Sequence, residues 1–242
     1  VCGVVGDVSD FVGVGGEVRR HGGDVVEGAV VVAQAPLGLR GVPGGLGGGR
    51  GEERPDDLDV LRVHVVGEAA ALGVTRVILV QADDTAEDTA HLQRTARAIE
   101  ADGRLARADV VGWLPLTDPA AVAEVLADPR RTDHLVGVRH LVHDEPDPGF
   151  LARPEVARSL DLLAAAGLPL DVPVAFERHM GQVARLARRH PELTIVLDHL
   201  GKPPLGDETA MGRWREQIAA IAAWPNSVAK LSGLATSGNG DF

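Results

Sequence analysis

Residues 193–204 read LTIVLDHLGKPP, an apolar run of strand length that ends on Asp198 and His199, followed by a glycine, a cation and two prolines. Five other runs rich in Val, Ile and Leu have the same character, at 74–80, 109–116, 135–142, 168–174 and 227–234. Successive starts lie roughly 30 residues apart, the size of one strand-helix-strand step. Nearly unbroken apolar strands suit a parallel sheet covered on both faces better than an antiparallel sheet with one wet face.

The intervening segments carry helical periodicity. Met211, Trp214, Ile218 and Ile221 recur at intervals of 3, 4 and 3 and so share one face. Pro154 stands at a first helical position, Val156, Leu160 and Leu163 form a buried stripe, and Gly167 supplies the residue after the last turn. Val183 and Leu186 do the same for the segment that ends at His190-Pro191. Strict alternation of strand and helix leaves two architectures, an open doubly wound sheet or a (β/α)8 barrel. No GxGxxG follows a strand and no GxxxxGK[ST] occurs. The expected fold class is therefore α/β, a TIM-barrel-like (β/α)8 arrangement that is incomplete, with about six clear units.

The chain has 242 residues, 22 Arg, two Lys and a formal charge of −11. An acidic chain without a basic run lacks the electrostatic footprint of a nucleic-acid partner. No window approaches the roughly 18 apolar residues of a membrane span, and Asp7 and Asp10 interrupt the first apolar stretch, unlike a signal peptide. A lone Cys2 excludes a disulfide framework. The expectation is a soluble cytoplasmic protein with neither nucleic-acid nor membrane partner; the oligomeric state is left open.

Glycine is unevenly placed. Sixteen of the 30 lie in residues 1–51 together with 13 Val, which is not globular usage. The segment 41–50, GVPGGLGGGR, has too little side-chain volume to pack. Only 27–35 has the character of a buried strand. The expected organisation is a Gly/Val-rich segment over 1–56, poorly ordered or foreign to the rest, and a partial barrel over 57–242.

In a barrel the chemistry belongs at the C-terminal strand ends. His199 sits at such an end and can bind a divalent metal or hydrogen-bond a substrate carbonyl, and Lys202 can pair with a carboxylate. The alternative is a His satisfied by a backbone carbonyl. Arg139 alternates with Val138 and His140 and should point inward. A charge there is costly unless paired, so Arg139 is either an anion receptor or a partner of a structural carboxylate such as Asp171 or Glu177. The turn 144–148, DEPDP, reads as a solvated, proline-stiffened loop rather than a metal site. Gln81 ends the first clear strand, and Lys230 with Ser232 lies in the last; each is a weaker signal.

GVRHLVHDEPDP (137–148), VLDHLGKPP (196–204) and PNSVAKLSGL (225–234), in this order and spacing, resemble the amidohydrolase-related lactonases, the branch that includes fuconolactonase-like and pyrone-dicarboxylate-lactonase-like enzymes. LVQADDTAEDT (79–89) and DVVGWLPL (109–116) match more loosely, and the resemblance covers about 57–242. It implies a (β/α)8 barrel that hydrolyses a lactone of a sugar acid or carboxylated small molecule, with one divalent metal such as Zn or with none. Carried over, His199 is the sixth-strand His that binds metal or polarises the lactone carbonyl. Arg139, Lys202 and, more weakly, Lys230 hold the substrate carboxylate or hydroxyls. Gln81, from its place at a strand end and not from the resemblance, is a further candidate substrate contact.

Two parts of the pattern are lacking. Such enzymes open with a His-x-His pair on strand one, whereas His21 stands alone and His64 falls on an expected helix. They end with a strand bearing a water-activating Asp in a Ser-Asp-Trp-Pro context, which does not occur. The first and last strands are therefore expected to be missing, with 1–56 standing where the first should be. The expectation is a piece of a lactonase-type sequence whose catalytic set is incomplete. The competing readings are a non-catalytic barrel that binds a small hydroxy acid and a related aromatic-acid decarboxylase.

Overall fold

The computed structural model describes residues 66–173 and 176–234, with the backbone of residues 18–19, 25–26 and 29–34. Seven strands form one parallel sheet: β1 (Ala29–Gln34), β2 (Val74–Val80), β3 (Arg107–Gly112), β4 (Leu135–Arg139), β5 (Leu170–Val172), β6 (Ile195–Leu197) and β7 (Ser227–Ala229). Six helices accompany it: α1 (Gly67–Ala71), α2 (Ala86–Asp102), α3 (Pro119–Ala127), α4 (Pro154–Ala165), α5 (Met180–Arg189) and α6 (Glu208–Ala222). Spatial order equals chain order throughout. A doubly wound sheet reverses direction at a switch point; this one never does, so it is a partial (β/α)8 barrel.

All six apolar runs contain a strand; the run 74–80 is strand throughout, and the other five extend beyond theirs. The run 193–200 is extended only over Ile195–Leu197 because the backbone turns left-handed at His199. At the other end of the sheet Ala29–Gln34 lies inside the stretch 27–35 that was expected to have strand character. It pairs in parallel with β2, Val31 opposite Val77 and Ala33 opposite Leu79, and so takes the first-strand place that the glycine-rich segment was not expected to fill. Its core of consecutive valines favours extended backbone locally, whatever surrounds it. His21, His64 and the boundary at 56/57 lie outside the described residues.

Alternation along the strands separates two faces. Outward, Val77, Leu79, Ala108 and Val110 pack with Leu92, Ala96 and Ile99 of α2. On the next part of the sheet Val138, Leu170, Val172, Ile195 and Leu197 pack with Val156, Leu160 and Leu163 of α4 and Val183 and Leu186 of α5. The opposite face holds a small cluster of Val80 and Val111 with Ile78 and Val136, and then the charged residues of β4 to β7. Asp109 on that face is fully buried and accepts from Arg76 Nε at 2.6 Å and Arg107 Nε at 2.7 Å.

Helix ends follow the sequence signals. Pro154 opens α4 and Gly167 has φ +68° just beyond its end, where a residue without Cβ closes the turn at little cost. Thr85 and Asp207 cap α2 and α6 by accepting from Asp88 N and Ala210 N. On α6, Ile221 is buried and Trp214 and Ile218 pack partly against the core, whereas Met211 is only half-buried. Asn226 donates from Nδ2 to the carbonyls of Ala187, His190 and Leu193, at 3.1, 3.0 and 2.9 Å, and ties the end of α5 to the start of β7. No helix among the described residues is long and apolar enough to cross a membrane.

Leu160 is fully buried in the larger cluster. Leu160→Ala is expected to lower the unfolding free energy by about 2–5 kcal/mol, the range for a buried leucine whose site cannot collapse. Urea denaturation followed by circular dichroism measures it; an unchanged midpoint would place Leu160 outside the cooperative core.

Candidate active site

The strand register assembles the site. Arg139 at the end of β4 stands opposite Asp171 of β5. Leu197 of β6 stands opposite Ala229 of β7, so the next residues along, Asp198 and Lys230, are also neighbours. The outward faces of these strands are apolar, as Val138, Leu170, Val172 and Leu197 show, so the intervening polar residues are turned to the inner face.

Four charges meet there. Lys230 Nζ bonds Asp171 Oδ2 and lies 2.6 Å from Asp198 Oδ1, while Arg139 Nη1 is 3.5 Å from Asp198 Oδ2. Asp171 and Asp198 are 2% and 1% exposed and Arg139 7%. Burial, with Asp198 beside it, pushes the Asp171 carboxyl up to about 6, against the pull of Lys230 and Arg139. The Lys230 ammonium is held above its usual range; burial opposes this, and the two carboxylates outweigh it. Of the two partners expected for Arg139, Asp171 is its cross-strand neighbour but Glu177 is not a partner; Glu177 accepts instead from Arg213 Nε at 3.0 Å.

His199 follows immediately. Its φ and ψ are 52° and 37°, Leu200 has 52° and 27°, and Gly201 and Lys202 have φ of 72° and 61°. Three non-glycine residues in the left-handed region store strain of order 1–3 kcal/mol each, which persists only where the surroundings over-determine it. They do so here: Leu200 N donates to Lys230 O (3.1 Å), Phe176 N to Gly201 O (3.0 Å), Lys202 N to His199 O (2.9 Å) and Trp214 Nε1 to Leu200 O (2.8 Å). The half-buried imidazole has Nδ1 2.9 Å from Ser232 Oγ. Burial pulls the imidazole below its usual range, helped by Lys202, Arg139 and Lys230 and opposed by Asp198, which favours its neutral form.

Lys202 Nζ donates to Gly233 O at 2.8 Å and joins the loops after β6 and β7. Burial lowers the Lys202 ammonium. Lys202 also lines an open cavity of about 640 Å³ with Phe176, Glu177, Arg178, Asp207 and Arg213.

Gln81 is fully buried at the end of β2, its Nε2 donating to Asp84 Oδ1 (2.9 Å) and to the carbonyl of Arg139 (3.2 Å). It reaches the site through the backbone of β4. Asp84 accepts from Leu141 N with both oxygens at 3.1 Å and lies 3.4 Å from His140 Nδ1. His140 Nε2 is 2.7 Å from Glu145 Oε1, and its ring stacks on Phe150 at 4.4 Å. The acidic turn is therefore a brace for β4: Glu145 holds His140, and Asp147 holds Gly149 N and Arg153.

The structure thus brings together Arg139, Lys202 and Lys230 around the turn that carries His199 and leaves Gln81 one hydrogen bond behind them. Asp198 and Ser232 carry only faint signals in the sequence. An Asp interrupting an apolar strand signals a buried charge that needs a partner, but its partner lies on another strand. Among the described residues no group of three or more His, Cys, Asp or Glu side chains could hold a metal, and Asp198, the nearest acid to His199 in sequence, is engaged by Lys230 and Arg139. These residues by themselves do not fit a metal ion.

Comparison with known proteins agrees with this architecture. An L-fucono-1,5-lactonase of Burkholderia ambifaria is 36% identical over 188 residues, 75% of this chain and 58% of that protein. One of Burkholderia multivorans is 40% identical over 179 residues, 72% of this chain and 57% of that protein. The chain thus spans just under three fifths of the length of these curated relatives. Crystal structures of a B. multivorans amidohydrolase, one with bound HEPES and one with bound zinc, superpose with TM-scores of 0.63 and 0.62 at 36% and 35% identity. Each covers 75% of this chain, which matches 61% and 60% of theirs. The family profile described as amidohydrolase matches residues 50–242, four fifths of the sequence and every strand from β2 to β7, and the chain belongs to that family.

Proposed function

We propose that the chain carries the carbonyl-activating side of a lactone hydrolase. Water adds to the lactone carbonyl, the ring C–O bond of the tetrahedral intermediate breaks, and the product is the open hydroxy acid. Addition concentrates negative charge on the former carbonyl oxygen, and a donor held there beforehand lowers the barrier. The observation that carries this reading is His199, a strand-end imidazole on a strained turn, where burial and the nearby Lys202, Arg139 and Lys230 favour the neutral form. A neutral imidazole can donate to the carbonyl without exchanging a proton with solvent at each cycle.

Lys202 is the cation that meets the substrate, since it lines the open cavity as well as the His199 turn. That cavity is within the size range of small-molecule sites, and the substrate proposed is a sugar-acid lactone such as the L-fucono-1,5-lactone of the Burkholderia relatives. Arg139 and Lys230 act from behind Asp198. A divalent metal such as zinc would require donors besides the described residues, and no step of the proposed reaction runs through one.

With L-fucono-1,5-lactone as substrate, His199→Ala is expected to lower kcat/KM by about 10²–10³, the usual loss on removing one oxyanion donor. Proton release in weakly buffered indicator solution measures it. Equal rates for the two proteins would remove His199 from the reaction, and binding of L-fuconate without turnover by either would favour a non-catalytic barrel. Lys202→Met is expected to raise KM about tenfold, the equivalent of one charge-assisted hydrogen bond; an unchanged KM would take Lys202 out of substrate contact.

A further inference from the structure

The block KLSGL after β7 holds two residues that the proposed reaction leaves unused. Ser232 Oγ is 2.9 Å from His199 Nδ1, and among the described residues this is the only hydrogen-bond partner of its hydroxyl. Gly233 faces the same ring. A Cβ built on it would lie 2.7 Å from Nδ1 and 3.0 Å from Cγ, and its φ is +60°. Its carbonyl accepts from Lys202 Nζ, so its position is fixed from the far side of the imidazole turn.

We infer that Ser232 and Gly233 are positioning residues that set the tautomer and the seat of His199. The Ser232 hydroxyl donates to Nδ1, which places the imidazole proton on Nε2 and turns that N–H toward the substrate carbonyl. Which ring nitrogen of a histidine carries the proton is set by the bond made at the other. Were Nδ1 the donor, Ser232 would accept and Nε2 would present a lone pair to the carbonyl oxygen, which repels the charge that develops there. Gly233 supplies the space: only a residue without Cβ lets the β7 loop approach the ring this closely, and glycine takes this φ at little cost.

The inference rests on His199 acting as an electrophile, so the test separates the two. In the ¹⁵N-labelled 242-residue chain, long-range ¹⁵N–¹H correlation assigned through His199→Ala reads the tautomer directly. The expected result is one species protonated at Nε2, turning into a mixture in Ser232→Ala and restored in Ser232→Thr, which keeps the hydroxyl. Protonation at Nδ1, or an identical spectrum in Ser232→Ala, overturns the inference whether or not the chain turns over substrate. In kinetics with L-fucono-1,5-lactone, Ser232→Ala is expected to lower kcat about 10- to 100-fold, as for other outer-shell partners of a working histidine. KM should stay within about threefold, because a tautomer change alters transition-state rather than ground-state contacts, and Ser232→Thr should recover most of the rate. Full activity in Ser232→Ala alongside an inactive His199→Ala rejects this inference and leaves the proposed function standing. Full activity in His199→Ala rejects the proposed function, while the spectrum still decides the tautomer.

Discussion

The arrangement depends on one ionic contact, the Lys230 ammonium between the carboxylates of Asp171 and Asp198, with Arg139 against Asp198. Two buried acids without cations would cost several kcal/mol each in lost hydration. Two cations without acids would cost as much. The balanced set is tolerable only if each member stands in register with its partners, and the parallel ladders ensure this: Arg139 opposite Asp171, Leu197 opposite Ala229. A slip of one residue in β5 or β6 would turn a leucine inward and an aspartate into the apolar layer beneath α4 and α5. The charges therefore contribute specificity of register to strands of only three residues, whose own hydrogen bonds fix it weakly.

Much of this is legible in the sequence, for a physical reason. Each strand is buried on its outer face, so it has to appear as an apolar run, and the chain-order topology follows from short right-handed crossovers. The inward aim of Arg139 follows from period-two alternation alone. Strand length is not legible, because left-handed backbone at His199 and Leu200 depends on contacts from β7, α6 and the loop after β5. Nor is the role of Ala29–Gln34: its valines are written in the sequence, but whether a neighbour accepts them is decided by β2, some forty residues away.

The site divides in the same way. His199 and Lys202 stand out because an Asp-His pair that ends an apolar strand, followed by glycine, lysine and two prolines, puts polar chemistry on a stiffened turn. Arg139 in the sequence is either a substrate receptor or the partner of a carboxylate such as Asp171 or Glu177, and Lys230 resembles a substrate receptor. The structure decides the partners: Lys230 pairs with both Asp171 and Asp198, and Arg139 lies against Asp198. Gln81 stands at the expected strand end, but its amide nitrogen is used by Asp84 and the Arg139 carbonyl, a partnership across two strands that no local pattern records.

The strain at 199–202 shows how these layers cooperate. Three left-handed non-glycine residues cost a few kcal/mol together, comparable to a good part of a domain's net stability. The hydrogen bonds that offset this cost come from Lys230, Phe176 and Trp214, and Lys230 is itself held by the buried carboxylates. The ionic set thus acts twice, fixing the register of β4 to β7 and anchoring the backbone acceptor on which Leu200 leans. Among the described residues the imidazole is in consequence delivered by β4 to β7 and α6, whereas β1 lies at the other end of the sheet, beyond β2 and β3.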